Sequence, residues 1–195
     1  TIRPALQIVG TEPGVKKIAG MYIMFTKRGP LFLADTTVNF NPTAEELAEI
    51  TLLVAKEVKQ FNIKPRIAML SYSNFGSSDS PEANLVSKAR EIIKQKDPSL
   101  ICDGEVQGIL AFNKEILKEN YPFTELLNGE VNILIFPNLS AGNIAYNLLQ
   151  EVGGTDSIGP ILLGLNKPVH VLQLGSSIRA IFNMVLIAVV DAQTK

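Results

Sequence analysis

The chain has 195 residues, of which 46% are hydrophobic and 19% are charged. This composition is typical of a folded globular protein and excludes disorder as the main state. The 18 basic and 19 acidic residues give a formal net charge of −1. No overall positive field therefore draws the chain to nucleic acid or to a lipid surface, and we expect neither as a partner.

The only cysteine of the sequence is Cys102. An internal disulfide is therefore impossible, which suits a reducing compartment, and we expect a cytoplasmic protein. The longest apolar run, residues 182–190, is about half the length of a membrane span. We identify no secretory signal and no initiator Met, and the first residues already have a structured pattern. We therefore expect the chain to be cut from a larger protein.

Short apolar strands alternate with amphipathic helices along the chain. The pattern predicts strands at 20–25, 31–35, 66–70, 100–102, 132–136, 161–163 and 169–172. It predicts helices at 43–60, 81–96, 113–119, 140–152 and 177–192. Thr43 and Glu46 form a capping box, and Pro81 suits a first helical turn. This alternation predicts an α/β fold with a largely parallel sheet and helices on its faces.

In such folds, ligands bind where strands lead into helices. Four loops are then candidates: 71–80, 103–107, 137–143 and 173–177. The first is rich in hydroxyls, and its backbone N–H groups suit an anion such as phosphate. It lacks the Gly-Lys-Ser/Thr end of a P-loop, and a turn rich in caps is an equally good interpretation. The candidate residues here are Ser71, Ser73, Gly76, Ser77 and Ser78.

The other loops carry carboxylates and amides. Asp103, with Gln107 nearby, is a candidate general base, although a surface turn explains the same residues. Asn138 and Asn143 suit a polar ligand group, whereas Ser140 is a candidate helix cap. His170 lies among apolar strand residues, which favours a hydrogen-bonded structural role over catalysis.

Seven segments together resemble the phosphate acetyl/butyryl transferase family, whose members move an acyl group between phosphate and coenzyme A. The segments are 3–7, 41–48, 68–73, 103–105, 135–137, 141–144 and 159–161. The resemblance implies two α/β lobes with largely parallel sheets, flanking helices and a cleft between the lobes. It implies that 1–29 ends the first lobe, 30–153 forms the second, and 154–195 returns to the first. The first lobe would be incomplete in this chain.

The family uses a serine, an arginine and an aspartate in one segment, and the resemblance implies where they would lie here. Matched through Leu172, Gly175, Ser177 and Ile181, these three positions hold Gln173, Leu174 and Ala180. A leucine cannot hold a phosphate and an alanine cannot accept a proton. We therefore expect no catalytic residue and no ordinary acyl transfer.

A narrower resemblance is to the large bacterial NADP-dependent malic enzymes, on segments 21–24, 33–39, 73–77 and 168–173. It implies a domain that forms the homo-oligomer and binds acetyl-CoA as an effector. NADP and Mg or Mn would serve a malate-oxidising part outside this chain. An active phosphate acetyltransferase and a purely structural dimerisation module are the alternatives. The residues expected to bind acetyl-CoA or phosphate are Arg3, Ser71, Ser73, Gly76, Ser77, Ser78, Asp103, Gln107, Asn138, Asn143, Gly175, Ser176 and Ser177.

Overall fold

The computed structural model describes residues 2–172 and 175–194 and places six strands in one mixed sheet. The strands are β1 (Ala19–Thr26), β2 (Gly29–Ala34), β3 (Arg66–Leu70), β4 (Ile101–Val106), β5 (Ile133–Ile135) and β6 (Ser157–Leu163). The helices are α1 (Ile2–Val9), α2 (Ala44–Gln60), α3 (Pro81–Lys96), α4 (Gly108–Ala111), α5 (Lys114–Asn120), α6 (Leu139–Gly153) and α7 (Ile178–Thr194), with a 3₁₀ turn at Glu125–Leu127.

The strand order is β4-β3-β5-β2-β1-β6. The first four strands are mutually parallel, whereas β1 is antiparallel to both β2 and β6. Only Lys27 and Arg28 separate β1 from β2, and so short a connection permits only an antiparallel pair. The predicted α/β class with a mostly parallel sheet is confirmed. Strands β1 and β6, which the predicted boundaries assign to the first lobe, hydrogen-bond into the same sheet as the rest.

Both faces of the sheet are buried. Adjacent residues of a strand point to opposite faces, so Met21 packs in the cluster with α2 and α3, and Tyr22 in the cluster with α4, α5 and α6. The predicted capping box is present, since Thr43 Oγ1 accepts from Glu46 N–H and Thr43 N–H donates to the Glu46 carboxylate. No described helix has the length and apolarity needed to cross a membrane.

Several predicted boundaries are wrong: α1 and α4 were not predicted, β6 begins at Ser157 and not at residue 161, and three further differences bear on the candidate loops. Strand β4 continues to Val106, so 103–107 is not a loop: Asp103 is a buried strand residue. Its carboxylate accepts from Thr124 Oγ1 and Glu125 N–H, and Arg90 Nε lies 3.2 Å away. The buried carboxylates of Asp103 and Glu105 interrupt the apolar pattern by which β4 was recognised, so the predicted strand was too short.

The other two differences lie at α6 and beyond β6. Asn138, not Ser140, caps α6, because its Oδ1 accepts from Ala141 N–H. The described residues 169–172 form no strand. His170 there has the structural role predicted for it: Nδ1 accepts from Leu162 N–H, and Nε2 lies 2.9 Å from buried Asp191 on α7.

A buried carboxylate joins the ends of β1 and β2. Asp35, only 3% exposed, accepts hydrogen bonds from Gly20 N–H of β1 and from the backbone N–H groups of Thr37, Val38 and Asn39. The Asn39 side-chain amide donates to it as well. One ionised group thereby satisfies five donors, and charge-assisted bonds of this kind are the strong ones.

We expect Asp35→Asn to lower the free energy of unfolding by roughly 3 kcal/mol, because the new amide group opposes donors that then stay buried without an acceptor. Equilibrium urea unfolding measures the change. The control is Asp79→Asn, an exposed carboxylate bonded to the Asn84 side chain, which should change stability by less than about 0.5 kcal/mol. Equal effects of the two substitutions would contradict the role given to Asp35.

Candidate functional site

Two adjoining pockets share the stacked rings of Tyr22 and Tyr146, whose centroids lie 3.8 Å apart. We call them together the tyrosine groove. The larger, about 300 Å³, is lined by Tyr22, Tyr146, Gln150, Thr155, Asp156, Ser157, Gly159, Gly175, Ser176, Ser177 and Ala180. The smaller, about 170 Å³, is lined by Tyr22, Thr36, Thr37, Leu139, Asn143, Tyr146, Asn147 and Pro160. Hydroxyls and amides thus surround an aromatic pair, as in many small-molecule sites.

Two glycines bring the walls of the groove together. A Cβ on Gly142 of α6 would lie 2.2 Å from the Asp35 carbonyl oxygen, and one on Gly159 would lie 2.5 Å from the Tyr22 ring. Because neither has a Cβ, α6 approaches the turn after β2 and β6 packs under Tyr22. Asn143 Nδ2 then donates to the Thr36 carbonyl at 3.3 Å.

The start of α7 forms the opposite wall. Gly175 has φ +88°, a conformation that glycine adopts without strain. Ser177 Oγ accepts from Ala180 N–H at 3.1 Å and so caps the helix. Arg179 pairs with Asp156 at 3.1 Å, with both side chains largely exposed. The predicted positions Gln173 and Leu174 lie outside the described residues.

The serine loop, residues 71–80, forms a separate cluster around Glu105. This carboxylate is 1% exposed and accepts from Ser73 Oγ at 2.8 Å and from Gly76 N–H at 2.7 Å. Ser73 and Ser77 are hydrogen-bonded at 3.0 Å, and Ser73 Oγ also accepts from Ser78 N–H. An anion therefore already occupies the loop, and it belongs to the chain itself.

The remaining predicted residues also have internal partners. Ser71 Oγ accepts from Ser73 N–H, and Gln107 Nε2 donates to the Tyr72 carbonyl at 2.6 Å. Asp103 and Asn138 are held by the contacts described above. Arg3 lies in α1, and its side chain is outside the described part of the chain. The structure thus brings together Asn143, Gly175, Ser176, Ser177 and Ala180, and holds the serine loop apart from them.

Sequence reasoning missed several residues of the groove. They include Tyr22, Thr36, Thr37, Tyr146, Asn147 and Asp156, and Arg179 in a small pocket next to it was missed as well. A usable signal was the polar run from Asp35 to Asn39 directly after a buried strand, which is typical of a side chain that hydrogen-bonds its own turn. The tyrosine pair joins a strand to a distant helix, and no local pattern announces such a contact.

Cys102 takes no part in the groove. It is buried in β4, and burial raises the pKa of its thiol to about 12. Since the thiolate is the nucleophilic form, this cysteine is unreactive in the folded protein. It is a small core residue.

The close approach of α6 gives a matched test. We expect Gly142→Ala to lower the free energy of unfolding by about 1–3 kcal/mol, because the new methyl overlaps a backbone oxygen that cannot rotate away. Gly153→Ala on the same helix is the control: its Cβ would meet Thr155 at an ordinary 3.8 Å. Thermal and urea unfolding measure both variants. Unchanged stability of Gly142→Ala would show that α6 sits farther from the turn than described.

Comparison with known proteins gives a consistent result. The family described as "Phosphate acetyl/butaryl transferase" matches residues 1–189. The chain is 47% identical over 186 residues to an NADP-dependent malic enzyme of Haemophilus influenzae, covering 95% of this chain and 24% of that one. It is 42% identical over 192 residues to a phosphate acetyltransferase of Bacillus subtilis, covering 98% and 59%.

Among solved structures, a phosphotransacetylase from Streptococcus pyogenes superposes with a TM-score of 0.94 at 41% identity, covering all of this chain and 60% of that one. The chain thus spans less than two thirds of the length of each of these relatives. It belongs to the phosphate acetyl/butaryl transferase family and is similar both to malic enzymes and to phosphotransacetylases.

Proposed function

We propose that this chain is the phosphotransacetylase-like domain of an NADP-dependent malic enzyme, that it does not transfer acyl groups, and that it binds acetyl-CoA as an effector. Similarity to malic enzymes over nearly the whole chain supports the first part. The observation that carries the second is Ala180. This methyl group lines the larger pocket of the tyrosine groove at the position where the family pattern has an aspartate.

In the family reaction, as the resemblance implies, the thiol of coenzyme A loses its proton to a carboxylate while an arginine holds the phosphate. Ala180 offers no proton acceptor, and Leu174 offers no cation. A general base contributes about 10²–10⁴-fold to such a reaction. Loss of both groups removes proton transfer and charge stabilisation together.

We expect no acetyl-CoA synthesis from acetyl phosphate and coenzyme A by a protein containing this chain. The assay follows the thioester spectroscopically, with the phosphate acetyltransferase of Bacillus subtilis as positive control. The triple substitution Gln173→Ser, Leu174→Arg and Ala180→Asp should raise the rate at least about 10²-fold by restoring base and clamp. Wild-type turnover within about tenfold of the positive control would overturn the proposal.

A rearranged acyltransferase is the second candidate, and one observation favours it. Asp156 and Arg179 line a small pocket of about 50 Å³ next to the groove, together with Ala180, and offer a carboxylate and a guanidinium. If the wild type is active and Asp156→Asn abolishes that activity, this second function is correct.

The tyrosine groove is the site we propose for acetyl-CoA. Thr37, Asn143 and Asn147 line the smaller pocket and carry hydroxyl and amide groups for the pantetheine amides. Arg179 lies in the small pocket next to the groove and supplies positive charge for a phosphate. We place the ligand here and not on the serine loop, because Glu105 already accepts the donors of that loop. A ligand that contacts both α6 and the start of α7 favours one arrangement of these helices, which is the requirement for an effector.

We expect acetyl-CoA to bind the whole malic enzyme in calorimetry and Asn147→Trp to weaken binding at least about tenfold, because the indole fills the smaller pocket. Leu148→Trp is the control, since Leu148 is exposed on an adjacent face of α6. Equal affinity of both folded variants and the wild type would place the effector elsewhere. No binding at millimolar ligand would favour a purely structural module.

We also propose that this domain forms the homo-oligomer, and α7 supports this. Apolar side chains with large exposed fractions run along this helix, among them Phe182 at 61%, Val185 at 54% and Val189 at 47%. Exposed apolar stripes of this size usually mark an interaction surface. Because the resemblance assigns 154–195 to a first lobe that is incomplete in this chain, the rest of that lobe and a second copy of the chain both fit this stripe; we propose the second copy.

We expect Val185→Asp combined with Val189→Asp to reduce the oligomer size, because two carboxylates would be buried in an apolar interface. Light scattering of the purified enzyme measures the mass. Ile109→Asp, which changes an exposed apolar residue on α4, should leave the mass unchanged. An unaltered oligomer in the α7 variant would contradict the assignment.

Malate oxidation with NADP and Mg or Mn is proposed for the parts of the malic enzymes that this chain does not span. Within residues 2–172 and 175–194, no three His, Cys, Asp or Glu side chains are grouped to hold a metal ion. The described residues therefore do not fit a metal centre, and we derive no metal-dependent step for them.

A further inference from the structure

A second cavity lies at the hairpin end of β1 and β2, opposite Asp35. We call it the hairpin pocket. Its volume is about 560 Å³, within the range of about 300–1,000 Å³ usual for small-molecule sites. It is lined by Thr26, Lys27, Arg28, Gly29, Pro30, Leu31, Ile63, Arg66, Phe112, Glu130, Val131 and Asn132. Neither the family resemblance nor the proposed function uses it.

Part of the lining is apolar. Leu31, Ile63 and Val131 contribute aliphatic surface, and Phe112 contributes a ring. The Arg28 guanidinium lies 5.6 Å from the centre of that ring and donates to the Phe112 carbonyl at 3.4 Å. The pocket therefore combines apolar surface with a planar cation held over an aromatic face.

The charged part of the lining is unbalanced. Lys27, Arg28 and Arg66 face a single acid, Glu130. Lys114 already pairs with Glu130 at 2.5 Å, and this hydrogen bond lowers the pKa of the carboxyl. Lys114 thus pairs with the acid from outside the pocket, and the three cations of the lining share this one anion among the described residues that line it.

Among the cations of the lining, Arg66 has a buried donor atom without a hydrogen-bond acceptor in the described part of the chain. Its Nε is buried and has no hydrogen-bond partner among the described residues. Asn132 is not available, because its Oδ1 accepts from the Arg66 backbone N–H and its Nδ2 donates to the Lys64 carbonyl. A Cβ on Gly129 would lie 2.1 Å from Arg66 Nε, so the guanidinium is packed closely against this glycine. Buried donors are seldom left without an acceptor.

We propose that the hairpin pocket binds a small organic anion, whose phosphate or carboxylate group pairs with Arg66 and Lys27 and whose aromatic or aliphatic body packs on Phe112 and Ile63. Arginine suits both head groups, since its planar fork matches carboxylate and phosphate. The ligand supplies a further anion for the cations of the lining and covers its apolar part. This site is separate from the tyrosine groove, so it stands or falls independently of acetyl-CoA binding.

Four probes dissect the proposal in calorimetry and NMR titrations of the purified enzyme. Phenyl phosphate and benzoate carry both parts of the proposed ligand, inorganic phosphate carries only the charge, and benzyl alcohol only the ring. We expect phenyl phosphate or benzoate to bind at least about tenfold more tightly than either partial probe. The stronger of the two identifies the head group.

Substitutions locate the binding. Arg66→Met and Lys27→Met should each weaken the better probe about tenfold, the usual effect of losing a charge-assisted hydrogen bond. Lys88→Met is the matched control, because Lys88 is an exposed partner of Glu45 on α3. Lys27 lies in an exposed turn, so its variant tests the site even if Arg66→Met fails to fold. No binding of phenyl phosphate or benzoate at millimolar concentration, or equal weakening by Lys88→Met, would overturn the proposal.

Discussion

The Asp35 carboxylate is the constraint on which the groove depends. It accepts from Gly20 at the start of β1 and from three successive backbone N–H groups after β2. These bonds fix the turn whose Thr36 carbonyl accepts from Asn143 and whose Asp35 carbonyl contacts Gly142. The position of α6, and with it the Tyr22–Tyr146 stack, therefore follows from one buried charge.

Glu105 plays the same part at the other half of the sheet. In both places a carboxylate of the chain gathers backbone and hydroxyl donors from a loop at the strand ends. Buried charges persist only when they are fully hydrogen-bonded. This explains why the fold places Asp35 and Glu105 inside without an ion pair among the described residues, whereas buried Asp103 is paired with Arg90. It also explains why the serine loop looks like an anion site in the sequence: it is one, and Glu105 fills it.

Much of the fold could be predicted because most elements repeat their apolar residues at the period of a helix or a strand. α2 and α3 were found because Thr43 and Pro81 act within a few residues of the helix starts, whereas the Ser80 cap of α3 was not predicted. β4 was cut short because Asp103 and Glu105 look solvent-exposed until their partners, which come from other elements, are known. The antiparallel pairing of β1 with β2 follows from the two-residue turn between them. The pairing of β1 with β6 is a contact between distant segments.

The same difference between local patterns and distant contacts holds for the candidate site. Asn143, Ser176 and Ser177 were predicted because they follow strands or begin helices. The aromatic pair and the Asp156–Arg179 pair were missed, because the partners in each pair come from segments that are distant in the sequence. Local hydrogen-bonding chemistry can be read from neighbouring residues, whereas a cavity depends on surfaces that the chain assembles from several places.

The single cysteine has a practical consequence. Cys102 is buried with its thiol pKa raised to about 12, so this chain carries no thiol that competes for an electrophilic reagent while it is folded. A cysteine introduced at Ser176 would therefore carry the one thiol of the folded chain that a fluorophore or a spin label can reach. Spectroscopic distances from that label to a second one on α6 would then follow the opening and closing of the groove in solution, without the removal of any native residue from the core.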